Sequence, residues 1–205
     1  MAFSRAAPSP RYTNLIELYR HMHQAGKFAG EPRAEEDRHI RDLCRRHGVR
    51  RLLDYGAGKG AKYVDAPLTM DGQSFPNVRA YWGVSEIACY DPASAGFERL
   101  PPGPFDGVIS TDVLEHIPEE DLPWVVAEMF QLADRFVYAN VTSWPAQKNL
   151  PNGENAHCTI KPVAWWRALV EKARAGREGV DFVFTVKYSQ VRGGFSDVEE
   201  AELTP

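Results

Sequence analysis

Nothing in the 205 residues approaches the run of ~20 apolar positions that a membrane span requires. The opening MAFSRAAPSP also lacks an apolar stretch of the kind a signal-peptide core needs, and its single Arg5 is too little for a transit peptide. These residues read as a loose N-terminal arm, and the expected location is the cytoplasm. Cysteine is scarce: Cys44, Cys89 and Cys158 are odd in number, far apart and without a C-x-x-C pair, which excludes a disulfide framework or a zinc knuckle. Positive charge is not in excess, since 24 Lys and Arg stand against 28 Asp and Glu for a net charge of -4. A general affinity for the nucleic-acid backbone is therefore not expected. Repeats are missing as well.

What is present suits one sizeable α/β domain. Residues 11–26 set Leu15, Leu18, Tyr19 and Met22 at helical spacing, and AEEDRHIRDLCRRHG carries acids first, bases last and Gly48 as a C-cap. RRLLDYG then reads as a strand ending in a tight turn. Two apolar runs follow, EIACYDP (86–92) and DGVISTDV (106–113), each ending near an aspartate. Beyond them come a helix opened by Pro118 and its acids, the strand RFVYANV, the polar loop SWPAQKNLPNGENAH, a helix around VAWWRALVEKARAG and the strand VDFVFTVKYS. This alternation predicts a mostly parallel, Rossmann-like sheet with helices on both faces and a ligand crevice at the carboxyl ends of its strands. The expected division is an arm and helix over 1–33, the main domain over 34–190 and a weakly patterned tail over 191–205 that contains any last strand.

Within LLDYGAGKG (52–60), Gly56, Gly58 and Gly60 fall in five positions directly after the first strand. Glycine there lets backbone N–H groups approach a ligand, and a following helix would point its N-terminus at an anion. The stretch Gly56-Ala57-Gly58-Lys59-Gly60-Ala61 fits the dinucleotide pattern G-x-G-x-x-G/A but is no Walker loop, because no G-K-[ST] closes it. A turn without a ligand is the plain alternative.

The segment from Asp54 to Gly60 resembles motif I of the class I S-adenosylmethionine-dependent methyltransferases. Asp91, FDGVIS (105–110), DVLEHI (112–117), and His157-Cys158-Thr159-Ile160 followed by VAWW (163–166) match further motifs in the family's order. The resemblance covers roughly 35–190 and implies an S-adenosyl-L-methionine site. Asp54, Gly56, Ala57, Gly58 and Gly60 would hold its methionine end, Asp91 and Pro92 its ribose, and Thr111 and Asp112 would face it from a strand end. It also implies a lid from the first helix, with Tyr12, Tyr19, Arg20 and His23 near the acceptor. His157 becomes the candidate general base, with Asp112 as a second catalytic candidate, and Tyr19, His23, Trp144 and His157 the candidate acceptor contacts.

Two departures stand out. Thirty-one residues separate Gly60 from Asp91, against about 20 in the usual spacing. Only PASAGFERLPPGP then precedes the next strand, too short for the helix, strand and helix expected there. The sheet is expected to lack its third strand, and with it the acid that reads adenine, leaving Phe97 or Leu100 to pack on the ring.

The D-x-x-E-H cluster of Asp112, Glu115 and His116 is read as a helix start and packing element, with no metal expected. His21 and His23, two apart on a helix, point to different faces. Trp144, Trp165 and Trp166 are either an acceptor wall or core. The leading expectation is an enzyme that methylates a small molecule or sugar at oxygen or nitrogen. A nucleic-acid methyltransferase comes second, without the N-P-P-Y element or Pro-Cys nucleophile of the DNA enzymes and with only Arg45, Arg46, Arg50 and Arg51 as a basic cluster. A nicotinamide oxidoreductase and a catalytically silent cofactor-binding module remain open.

Overall fold

The computed structural model describes residues 3–26, 34–192 and 195–205. Five α-helices and eight strands follow in the order α1 (Pro10–Gln24), α2 (Ala34–His47), β1 (Arg51–Tyr55), β2 (Leu68–Met70), β3 (Gln73–Phe75), α3 (Val78–Trp82), β4 (Glu86–Tyr90), β5 (Phe105–Thr111), α4 (Leu122–Leu132), β6 (Ala133–Thr142), α5 (Val163–Ala173), β7 (Asp181–Arg192) and β8 (Phe195–Leu203). Six of the strands form one sheet in the order β4-β1-β5-β6-β7-β8, parallel except for β8. This is the expected α/β, Rossmann-like architecture. Against the doubly wound order 3-2-1-4-5-6 it lacks the third position, so β4 is an edge.

Period-two alternation explains why the strands read as continuous apolar runs. Leu53, Val108, Val137, Ala139, Phe182 and Phe184 join one core with Val125, Val126 and Met129 of α4 and Trp166, Leu169 and Val170 of α5. Their neighbours Leu52, Ile109, Phe136 and Tyr138 join a second core with Ile40 and Leu43 of α2 and Tyr81 and Trp82 of α3. Both sheet faces are thus covered, as parallel strands require. Trp166 is fully buried, which settles it as core.

Two expectations need correction, the loose arm and the helix start, while the insertion and the tail gain strands. The N-terminal arm is docked rather than loose. Arg5 donates to Glu128 (2.6 Å), to the Tyr90 hydroxyl (2.7 Å) and to the Tyr55 hydroxyl (3.1 Å), and its guanidinium lies 4.8 Å from the Tyr90 ring centre. A lone arginine reads as arm when its partners lie 50 to 123 residues away. Ser9 then caps α1, its Oγ accepting from the Tyr12 amide at 3.0 Å, while its own N–H is held by Asp121. The helix after β5 starts at Leu122, not at Pro118, and Pro123 occupies its first turn. The insertion before β4 contains a hairpin, β2 to β3, turning at Asp71 and Gly72, both at positive φ. The Asp-Gly pair was its legible signal. The tail supplies β8, paired antiparallel with β7. Glu199, Glu200 and Glu202 disguise it, as charge on an edge strand commonly does.

Because Arg5 ties the arm to β1, β4 and α4, Arg5→Ala is expected to lower Tm by a few degrees, consistent with ~1 kcal/mol for a partly exposed charged hydrogen-bond cluster. Differential scanning calorimetry reads this directly, and faster proteolysis before Ser9 should accompany it.

Candidate functional site

The strand order reverses between β1 and β5, and a cavity of about 810 Å³ opens at their carboxyl ends. That is the crevice where open α/β sheets take ligands, and the volume suits a molecule of cofactor size. Asp54, Gly56, Ala57, Gly58, Asp91, Pro92, Thr111 and Asp112 line it from the sheet side. Tyr12, Tyr19 and His23 of α1 face them, with Trp144 and His157 closing the far end. Among the residues expected there, Arg20, Gly60, Phe97 and Leu100 do not line the cavity. Phe97 instead packs against Gly60, where an added Cβ would meet its ring at 3.0 Å, and Leu100 packs on the core under α4.

The glycine loop is needed first for its own backbone. Gly56, Gly58 and Gly60 have φ of 99°, 56° and 63°, values L side chains rarely adopt. At Gly56 a Cβ would also stand 2.7 Å from Val113 Cγ1 and closer still to Cγ2. The loop amides are largely engaged within the protein: Gly56 and Ala57 donate to the Tyr90 carbonyl at 2.7 and 3.0 Å, Gly60 to Ala57 at 3.0 Å and Gly58 to Asp91 Oδ2 at 2.9 Å. No helix follows the loop, only a 3-10 turn at Ala61–Tyr63. The expected helix N-terminus aimed at an anion is therefore not formed, and the amides of Gly56, Ala57, Gly58 and Gly60 are taken by protein acceptors. Residues after Gly60 instead spend their length on the hairpin, which relocates the next α-helix to Val78.

Three carboxylates differ in their surroundings. Asp54 ends β1 almost fully buried. Its Oδ2 accepts from the Tyr63 hydroxyl at 2.6 Å, while Oδ1 has no hydrogen-bond partner among the described residues. Burial pushes its carboxyl up to about 6, opposed by the Tyr63 hydrogen bond and by Lys62. Asp91 forms the turn that its Asp-Pro pair suggests: Oδ1 accepts the Ala93 amide at 2.8 Å and Oδ2 the Gly58 amide. A carboxylate has about four lone-pair positions, so capacity remains. Asp112 sits at φ 53°, a left-handed conformation that non-glycine residues seldom hold outside functional or turn positions. Reciprocal hydrogen bonds fix it: Asn140 Nδ2 donates to its carboxylate at 3.0 Å, and its own amide donates to Asn140 Oδ1 at 3.2 Å.

The D-x-x-E-H stretch forms a 3-10 turn, Leu114–His116. Glu115 is fully buried and braces β6 by accepting the Thr142 amide at 2.9 Å. His116 Nδ1 lies 2.9 Å from both the Ala156 carbonyl and the Tyr19 hydroxyl, and that hydroxyl donates to the same carbonyl at 2.7 Å. His157 Nδ1 lies 2.6 Å from the Trp144 carbonyl. A carbonyl only accepts, so each histidine carries its proton on Nδ1 and presents a lone pair at Nε2. Burial, with the neighbouring His157, holds His116 down at about 4, so it is neutral at physiological pH. Glu115, His116 and His157 each bring one ligand-type atom within 4.8 Å of the others.

Two ion pairs at the cavity were not anticipated: Lys62 to Asp37 at 2.5 Å and Lys187 to Glu36 at 2.7 Å. The acids open α2, where helix-dipole logic accounted for them fully, and nothing local signals partners in β7. Tyr63, which orients Asp54, was equally hidden. No family model matches the chain, and no curated protein matches it.

Proposed function

We propose that the chain is a methyltransferase that uses S-adenosylmethionine to methylate a small molecule or sugar at oxygen or nitrogen. One observation carries the reading: a buried aspartate, Asp54, with an oxygen unpartnered among the described residues, in the wall of a cofactor-sized cavity at the sheet's switch point. A buried carboxylate with an open lone pair calls for a cation, and the α-ammonium of the methionine moiety is one. When bound, S-adenosylmethionine supplies an electrophilic methyl group on a sulfonium. Asp91 has lone pairs left for ribose hydroxyls. With the loop amides engaged and Lys62 paired to Asp37, the cavity-lining Lys59 is the candidate to meet the carboxylate. Residues of α1 line one wall of the cavity, while Asp112, held by Asn140, and His157 present fixed polar groups to the acceptor.

A dinucleotide reading is weaker on the same observations. A pyrophosphate needs free loop amides and a helix N-terminus, and this loop offers a 3-10 turn and bonded amides. The test is incubation with methyl-labelled S-adenosylmethionine and a panel of hydroxyl and amine acceptors. Label should move to a member of the panel. Tight binding with no transfer to any member would reduce the reading to a cofactor-binding module.

A further inference from the structure

We propose that Glu115, His116 and His157 form a site for one divalent transition-metal ion, open to the acceptor end of the cavity. The donor set is two imidazole nitrogens and one carboxylate, the combination that suits Zn²⁺, Mn²⁺, Fe²⁺ or Co²⁺ better than Mg²⁺. Its outer contacts carry the argument. Ligating histidines characteristically donate the other ring N–H to a carbonyl or carboxylate, which fixes the tautomer and aims the remaining lone pair at the ion. Both histidines here do so, His116 to Ala156 and His157 to Trp144. Tyr19 of α1 bonds to the same Ala156 carbonyl and packs edge-on against the His116 ring at 5.4 Å. The third donor, Glu115, is oriented by the Thr142 amide.

The rings of His116 and His157 stand 4.8 Å apart between centres. Donor atoms on one ion are roughly 3 to 3.5 Å apart, given bonds of about 2.0–2.2 Å, so binding draws the three groups inward from their 4.8 Å spread. His116 and His157 line the cavity, leaving the ion's remaining positions on the cavity side.

The acceptor consequence rests on the methyltransferase reading, whereas the ion site does not. An acceptor hydroxyl bound there loses its proton to solvent more readily, because a divalent ion lowers the pKa of a coordinated oxygen. That oxygen then forms the new bond to the methyl carbon as the carbon–sulfur bond breaks, the electron pair passing to sulfur and neutralising the sulfonium. The acceptor class becomes hydroxyl rather than amine, and His157 serves as ligand rather than base.

The experiment is calorimetric titration of the chelator-stripped full chain with ZnCl₂, MnCl₂ and MgCl₂ separately, without any methionine cofactor, plus visible absorption with Co²⁺. One Zn²⁺ or Mn²⁺ per chain is expected, with Mg²⁺ much weaker. His157→Ala and His116→Ala should each weaken binding by at least ~10-fold and remove the Co²⁺ band. Glu115→Gln tests the third ligand, but its brace to β6 makes folding vulnerable. His157→Ala, in a surface loop, keeps the proposal testable if that variant fails to fold, and His21→Ala is the control that should change nothing. Absence of one-to-one binding, or an affinity untouched by His157→Ala, overturns the site. Metal binding without affinity for S-adenosylmethionine would leave the site standing and remove only the methyl-transfer reading.

Discussion

Replacing Asp54 with asparagine is expected to weaken S-adenosylmethionine binding by at least ~30-fold while leaving the apo protein as stable as before, or more so. The two halves have one cause. The carboxylate is buried, and its pKa is pushed up to about 6 from the ordinary 3.8 chiefly by loss of solvation. A raised carboxyl pKa means the native state holds the proton more tightly than the unfolded state. Stability from this group therefore falls as pH rises from about 4 to about 6, leaving a cost of about 3 kcal/mol at neutral pH. Asparagine keeps an oxygen for the Tyr63 hydroxyl and removes that cost. It also removes the charge, and losing one partner of a buried charged pair typically costs 2–5 kcal/mol of binding. Affinity in the wild-type chain should fall about tenfold per pH unit below about 6, as Asp54 takes up its proton, and Asp54→Asn should flatten that limb. Titration calorimetry across pH 5 to 8, paired with thermal unfolding, checks both halves. A variant that loses stability and affinity together would make Asp54 a structural residue.

Gly56→Ala should be the most damaging single methyl in the molecule's first loop. Two penalties combine at this position. The φ of 99° is hostile to any L side chain, and the new Cβ would overlap the Val113 methyls that hold the β5 end against the β1 loop. Strain and overpacking each cost about 1–3 kcal/mol, so a loss of roughly 2–5 kcal/mol in urea unfolding is expected. Adding Val113→Ala should recover the overpacking share and leave the φ share. Full recovery would show that the backbone tolerates alanine, and no recovery would show that Val113 is not the obstacle. Gly58→Ala meets only His23, at 3.6 Å, and should cost less.

The contrast between those glycines shows what the sequence makes legible. Gly56, Gly58 and Gly60 announce a tight loop after a buried strand, and the loop is there. Their spacing says nothing about where the amides go, and four of them go to protein acceptors, one of them Asp91, 33 residues on. The strands were readable because buried parallel strands need apolar residues on both faces, as Leu52 and Leu53 or Ile109 and Val108 show. The missing third strand was readable as shortage of chain. β8 was not, since an edge strand rich in glutamate looks like solvated tail. The site followed the same rule. Strand-end acids could be placed by counting, whereas Tyr63 against Asp54, Lys187 against Glu36 and His157 against His116 are tertiary meetings that no local pattern encodes. The Arg5 cluster is the clearest case, because its partners belong to β1, β4 and α4.

Equilibrium titration tests, without needing an acceptor, the proposal that the cavity beside the glycine loop takes a methionine-derived sulfonium cofactor. Purified protein is titrated separately with S-adenosylmethionine, S-adenosylhomocysteine and NADH. One-to-one binding of the first two is expected, weakened at least ~30-fold by Asp54→Asn and to a lesser degree by Asp91→Ala, with no heat from NADH. Binding of NADH alone would contradict it.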